Sequence, residues 1–198
     1  YKKYDLRIKS RKDGFSLLLS GLLLGAHWVT YFYALHLSNV AIGMLSLFTY
    51  PVITALLEPL FFKIKLSKSQ LFLSGLVLVG IYFLTPEMNF ENSDTKGVMM
   101  GIISAVFYSL RNILTKRNLS HYNASKVMFY QMLVVAFILF PVLFENNLNY
   151  SNTNDWTRIL TLSLVTTAIG HTLFVNSFKN FTISAVRIMS SMRPIYSI

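Results

Sequence analysis

The stretch "GAHWVTYFYALHLSNVAIGMLSLFTYPVITALLEPLFF", residues 25–62, decides the fold. It holds a single carboxylate, Glu58, and neither Lys nor Arg. Extended back to Phe15, it divides into two apolar runs, 15–37 and 40–62, with only Ser38 and Asn39 between them. A bilayer core about 30 Å thick takes roughly 20 mostly apolar residues per helix. Each run meets that length. So short a turn makes the pair an antiparallel hairpin of two membrane-spanning helices.

Outward from this hairpin the pattern repeats. Further runs occupy 70–85, 97–115, 125–145, 157–178 and 183–198. Apolar residues make up 54% of the chain and charged ones 13%, about half the share of a soluble domain. The predicted class is all-α, a polytopic membrane helix bundle.

The formal net charge of +10 could suggest a nucleic-acid partner, but its distribution gives a simpler reading. Loop 1–14 carries Lys2, Lys3, Arg7, Lys9, Arg11 and Lys12. Loop 63–69 carries Lys63, Lys65 and Lys68, and loop 116–126 carries Lys116, Arg117 and Lys126. The alternate loops are acidic or neutral, with Glu87, Glu91 and Asp94 in one and Glu145 and Asp155 in another. Only Lys96 and Arg158 run against this alternation. Positive charge concentrates in cytoplasmic loops. Residues 1–14 are therefore placed inside, and the first run crosses outward. The expected location is the cell (inner) membrane, as a multi-pass protein. The sequence has no cysteine, hence no disulfide framework and no thiolate metal site.

Superposing Pro51 on Pro194 also brings Tyr31 onto Phe174, Ala34 onto Ser177 and Ala41 onto Ser184. Each copy reads as an aromatic, small-residue helix, a short turn and a helix broken by proline. The copies start five helices apart, so they cross the membrane in opposite senses. That is an inverted repeat, the common architecture of secondary transporters. The offset predicts roughly 46 residues before residue 1 and roughly 31 after residue 198, completing two five-helix halves. On this reading residues 1–86 close a first repeat with three helices. Residues 87–95 are an external linker. Residues 96–198 open a second repeat with four helices, the last one cut.

These stretches carry a family likeness. "GAHWVTYFYAL", "AIGMLSLFTYPVITALLEPLFF" and "LSKSQLFLSGLVLVGIYFL" resemble the last three helices of an EamA domain, within the drug/metabolite transporter superfamily. "GHTLFVNSFKNFTISAVRIMSSMRPIYSI" falls where a second such domain would place it. The likeness covers nearly the whole chain and matches helices three to nine of ten. It departs at Ile64 in "FFKIKLS", where the family usually has an acid. The resemblance implies a central substrate cavity lined by 15–37, 40–62, 97–115, 157–178 and 183–198.

Polar groups inside a bilayer are costly, so each is a candidate for function. Arg193 precedes Pro194 near the middle of the last run. A guanidinium beside a proline-loosened helix can hold a carboxylate or phosphate; the alternative is an internal salt bridge. Arg187, near the cytoplasmic end, reads as a snorkelling side chain. Ser104, Tyr108, Arg111 and Thr115 recur at helical spacing and form a polar stripe expected to face the cavity. Tyr108 is the strongest of the four, while Arg111 could equally snorkel. His27, Trp28 and Tyr31 lie mid-helix in the first copy, and His171 and Asn176 in the second. The histidines read as neutral groups bonding a neighbouring helix, ahead of a proton relay. Trp28, Tyr31 and Phe48 could pack on an apolar or aromatic substrate or belong to the core. Glu58 is a candidate coupling acid, or else snorkels or pairs with Lys63. Pro51 and Pro194 are matching helix kinks. The GxxxG pairs Gly21/Gly25 and Gly97/Gly101 read as close helix packing.

No Walker loop and no HExxH spacing is present, so neither a cofactor nor a metal is expected. The leading expectation is secondary transport by alternating access, which the resemblance narrows to export of small metabolites such as amino acids. The buried arginines point to an anionic group on the substrate. A structural or sensory membrane subunit is the alternative, and an intramembrane enzyme using His27, His171 and Glu58 the remotest. The expected partners are a small-molecule substrate and the lipid bilayer, not nucleic acid. A homodimer is one of the arrangements the sequence leaves open.

Overall fold

Helix boundaries in this chain are set by short polar side chains that satisfy the free ends of the backbone. Ser10 Oγ accepts the Asp13 backbone N–H at 3.1 Å and starts α1, Arg11–Leu37, with Asp13 in its first turn. Ser38 Oγ donates back to Ala34 O at 2.8 Å at its far end. Asn39 then caps α2, Val40–Leu47, by accepting from Ile42 N at 3.0 Å. The two residues of the hairpin turn thus divide the work: one closes a helix and the next opens another.

The computed structural model describes residues 6–62, 91–144 and 153–181, with isolated positions between 68 and 89. All of their regular structure is helical. The predicted span 183–198, with Arg187, Arg193 and Pro194, lies outside the described residues, as do Lys63, Ile64 and most of span 70–85. Five described segments are long and apolar enough to cross a membrane: Arg11–Leu37, Val40–Phe62, Ser93–Asn118, Ala124–Val142 and Asp155–Lys179.

The second of these is not one helix. Pro51 has no N–H to give to Leu47 O, and the chain breaks there. α2 ends at Leu47 and α3 runs Tyr50–Phe62. The helix α4, Ser93–Asn118, carries Asp94 in its first turn and Lys116 and Arg117 in its last, in keeping with its dipole. Asn123 caps α5, Ala124–Leu139, which runs into a 3₁₀ turn at Phe140–Phe144.

The last described span was expected as a plain helix over 157–178. It is α6, Thr153–Leu162, then a π-helical stretch Ser163–His171, then α7, Thr172–Asn180. Side chains explain the change. Thr166 Oγ1 takes Leu162 O at 2.6 Å, and His171 Nδ1 donates to Thr166 O at 3.0 Å. Carbonyls engaged by side chains loosen the regular ladder and favour the wider turn.

The described residues form two compact units, those of 6–22 with 114–181 and those of 23–113. In the first, Leu17 packs with Tyr122 and Val127, and Ala124 and Met128 of α5 pack with Val175 of α7. The segment before α1 and the loop between α4 and α5 are joined by polar contacts. Tyr122 Oη donates to Asp13 Oδ2 at 3.0 Å and accepts Lys9 N at 2.8 Å, while His121 Nδ1 meets Asp13 Oδ1 at 3.1 Å. Desolvation raises the Tyr122 hydroxyl above the usual phenol range, so it stays protonated as that donor. Lys126 lies 4.8 Å over the Tyr122 ring and donates to Arg7 O. The two basic loops that charge alone places on the cytoplasmic side are therefore in contact. Arg158, an exception to the charge alternation, sits 3.5 Å from Asp155 one turn earlier.

In the second unit, α4 approaches its neighbours through its glycines. A methyl on Gly101 would come within 2.7 Å of Ser46 Cβ, and one on Gly97 within 2.6 Å of Ser38 Cβ. Backbone can come this close only without a Cβ, which is the packing role expected of that pair.

Candidate functional site

A polar and aromatic cluster sits near the middle of α1 and α4 in the second unit. Its first member is His27, 6% exposed. Its ring is bound to Ser104, one helix away and fully buried: His27 Nδ1 lies 2.7 Å from Ser104 Oγ and 3.3 Å from Ser104 O. Ser104 Oγ in turn donates to His27 O at 2.9 Å. Close approach of α1 and α4 makes this exchange possible, since the serine side chain reaches only about one hydrogen-bond length from its own backbone.

Tyrosine rings enclose the imidazole. Tyr31, one turn further along α1, stacks on it at 6.1 Å and 20°. Tyr108, one turn beyond Ser104 on α4, lies 4.6 Å away at 32°. The ring of Tyr50 meets Tyr108 edge-on at 4.9 Å and 82°, and Phe48 lies 6.1 Å from Tyr50. Edge-to-face and tilted pairs at these separations are the favourable aromatic arrangements. The helix break before Pro51 positions Tyr50. Its carbonyl accepts from Thr54 Oγ1 at 2.7 Å and from Ser109 Oγ of α4 at 3.0 Å.

The sequence-predicted residues are distributed as follows. His27, Tyr31, Tyr108 and Phe48 come together, and Trp28 is half-buried beside His27 on α1. Arg111, one turn past Tyr108, is fully buried rather than reaching out of the helix, and its Nη1 donates to Asn112 Oδ1 at 3.0 Å. Glu58 is 6% exposed on α3. His171 and Asn176 belong to the first unit, His171 bonded within its own helix and Asn176 exposed. Among the described residues no three His, Asp or Glu side chains gather as a metal site.

Thr115 departs from the expected cavity stripe. It is fully buried in the first unit, and its Oγ1 accepts from Gln131 Nε2 at 2.8 Å. That amide also donates to Ser20 Oγ at 3.0 Å. Gln131, Ser20 and Tyr50 carried no expectation from sequence. Tyr50 had one available signal, its place directly before the proline that breaks the helix. Gln131 had another, as the sole amide in an otherwise apolar run from Val127 to Leu139.

The EamA-like transporter family matches in two stretches, residues 2–85 and 95–198. An uncharacterized transporter of Bacillus subtilis, YxxF, is 24% identical over 204 residues, covering 99% of this chain and 64% of its own. An uncharacterized transporter of Helicobacter pylori is 32% identical over 128 residues, 62% of this chain and 40% of its own. The pseudopaline exporter CntI of Pseudomonas aeruginosa is 19% identical over 179 residues, 90% of this chain and 62% of its own. The chain spans less than two thirds of the length of each of these relatives. No solved structure matches it.

Proposed function

Because this chain belongs to the EamA-like transporter family and is a multi-pass membrane protein, we propose that the full-length protein is a secondary transporter exporting small metabolites such as amino acids by alternating access. The His27, Ser104, Tyr31, Tyr108 and Tyr50 cluster is its substrate-facing site. The observation that carries this reading is the cluster itself. It gathers hydrogen-bonding and aromatic side chains at mid-helix, where a bilayer protein that only needed to pack would use apolar ones. The helix break at Leu47–Tyr50, which carries Tyr50 of the cluster, supports movement there. The two stretches of family match support reading residues 1–86 and 96–198 as parts of two repeated halves. Arg111, on the face of α4 that bears Tyr108, supports a substrate with a carboxylate. One of the relatives is named as an exporter, which supports the outward direction.

The test uses the full-length protein in liposomes loaded with radiolabelled amino acids, organic acids or phosphorylated metabolites. Saturable flux of one class is expected, falling at least about tenfold in Tyr108→Leu, the scale of one lost hydrogen bond to a charged group. Saturable flux unchanged in both Tyr108→Leu and His27→Leu would move the site elsewhere while keeping the transporter. A folded protein with no saturable flux for any class would remove the transporter reading.

A further inference from the structure

Residues 6–10, just before α1, form no helix, yet they are fastened to the start of α5 through their backbone. Leu6 O accepts from Tyr130 Oη, Arg7 O accepts from Lys126 Nζ, and Lys9 N donates to Tyr122 Oη. Lys126 and Tyr130 stand one turn apart on α5, and Tyr122 directly precedes its cap. The segment therefore runs along one face of α5 as a strap. Tyr130 is the seventh residue of the membrane-length segment Ala124–Val142, roughly 9 Å in from its start. Backbone polar groups at such a depth need partners inside the protein. The three side chains supply them at Leu6, Arg7 and Lys9.

Held by its backbone, the strap leaves its side chains outward. Leu6 and Ile8 are 45% and 42% exposed, and Phe129, beside Tyr130 on α5, is 46% exposed. Arg7 and Lys9 alternate with the two aliphatic residues, and Arg11 and Lys12 follow, all exposed. The ammonium groups of Lys9 and Lys126 both lie over the ring of Tyr122, at 5.8 and 4.8 Å, so two cations are gathered on one patch. The stretches 6–22 and 114–132 carry seven Lys and Arg and a single carboxylate, Asp13. That carboxylate already meets His121 and Tyr122. A positive excess thus stands beside exposed apolar side chains at the depth where interfacial segments bury theirs, about 5–10 Å into the headgroup and acyl boundary. A soluble anion would answer the charge and leave Leu6 and Ile8 in water. A phospholipid with an anionic headgroup answers both in one molecule.

We propose that residues 6–12 and the start of α5 form a binding site for an anionic phospholipid. Leu6, Ile8 and Phe129 meet its acyl chains, and Lys9, Arg11 and Lys12 meet its headgroup phosphate. Lys126 is the fastener of the strap, and its charge adds to the attraction. The site belongs to the first unit and does not rest on the reading of the His27 cluster.

The test places an indole on the strap. Full-length protein carrying Ile8→Trp is reconstituted in vesicles of phosphatidylcholine and phosphatidylglycerol, with bromine on the acyl chains of one lipid or the other. The protein without this substitution corrects for its own tryptophans. Brominated phosphatidylglycerol should quench the introduced indole more strongly than brominated phosphatidylcholine at equal mole fraction. In Lys9→Gln/Arg11→Gln/Lys12→Gln that preference should fall at least about fivefold, the scale of one basic residue at an anionic surface. The strap is fastened by backbone atoms, so these exposed substitutions leave it in place. Quenching by neither lipid puts the strap against protein and overturns the proposal. Equal quenching by both, or a preference unchanged in the triple variant, removes headgroup recognition and overturns it as well. A preference abolished by millimolar inorganic phosphate, but not by chloride at the same ionic strength, assigns the patch to a free phosphate instead. No transported solute enters the measurement, so a failure of flux and a failure of this inference are seen separately.

Discussion

Gln131 shows what one buried amide does in this protein. It is fully buried, and its Nε2 reaches Ser20 of α1 and Thr115 of α4 from α5. In lipid, interhelical hydrogen bonds average about 0.6 and reach about 1.7 kcal/mol, because the separated helices also find partners. Gln131→Met keeps the length of the side chain and removes both donors, so it should cost roughly 0.6–1.7 kcal/mol of stability. Gln131→Ala adds a cavity and should cost more, roughly 2–4 kcal/mol. Thermal unfolding in detergent ranks the three proteins; equal midpoints for Met and Gln at this position would reduce the network to packing.

At the scale of elements, the informative features are departures from the regular helix. The break at Leu47–Tyr50 follows from Pro51 and was legible as a kink in the sequence. The π-helical stretch Ser163–His171 was not, because it depends on which carbonyls Thr166 and His171 engage once the helix exists. Between these elements α4 is held close by its glycines. Gly101→Ala would press a methyl on Ser46 and is expected to cost about 1–3 kcal/mol, the usual penalty of overpacking. Adding Ser46→Gly should recover much of that loss, and the recovery is the decisive reading, since contacting sites are not additive. Unfolding midpoints of the two single variants and the double variant measure it; additive losses would refute the contact.

For the whole molecule, the charge pattern predicts an orientation that single cysteines placed in these cysteine-free 198 residues can test. Ser120 is exposed in the loop that joins α4 to α5, and Asn92 is exposed just before α4. Single cysteines at these positions should differ in reach. Ser120→Cys should react with a membrane-impermeant thiol reagent only after permeabilisation, and Asn92→Cys in intact cells. The reverse pattern would invert the assigned orientation. The contacts of Asp13 with His121 and Tyr122 agree with the assignment, since they bring the two basic loops together.

Length and hydropathy alone determined that the runs 15–37, 40–62, 97–115, 125–145 and 157–178 are long and apolar enough to span, and the residues of those runs carried the family resemblance. These properties are local, written in runs of apolar residues. The pairing of polar residues was decided only by the tertiary structure. Ser104 and Thr115 stand about three turns apart on one helix, on the same face by periodicity, and the sequence assigns them one stripe and one role. Folded, Ser104 engages His27 in one unit and Thr115 engages Gln131 in the other. A side chain's face is fixed by helical geometry, but its partner is fixed by whichever distant helix comes to lie against that face.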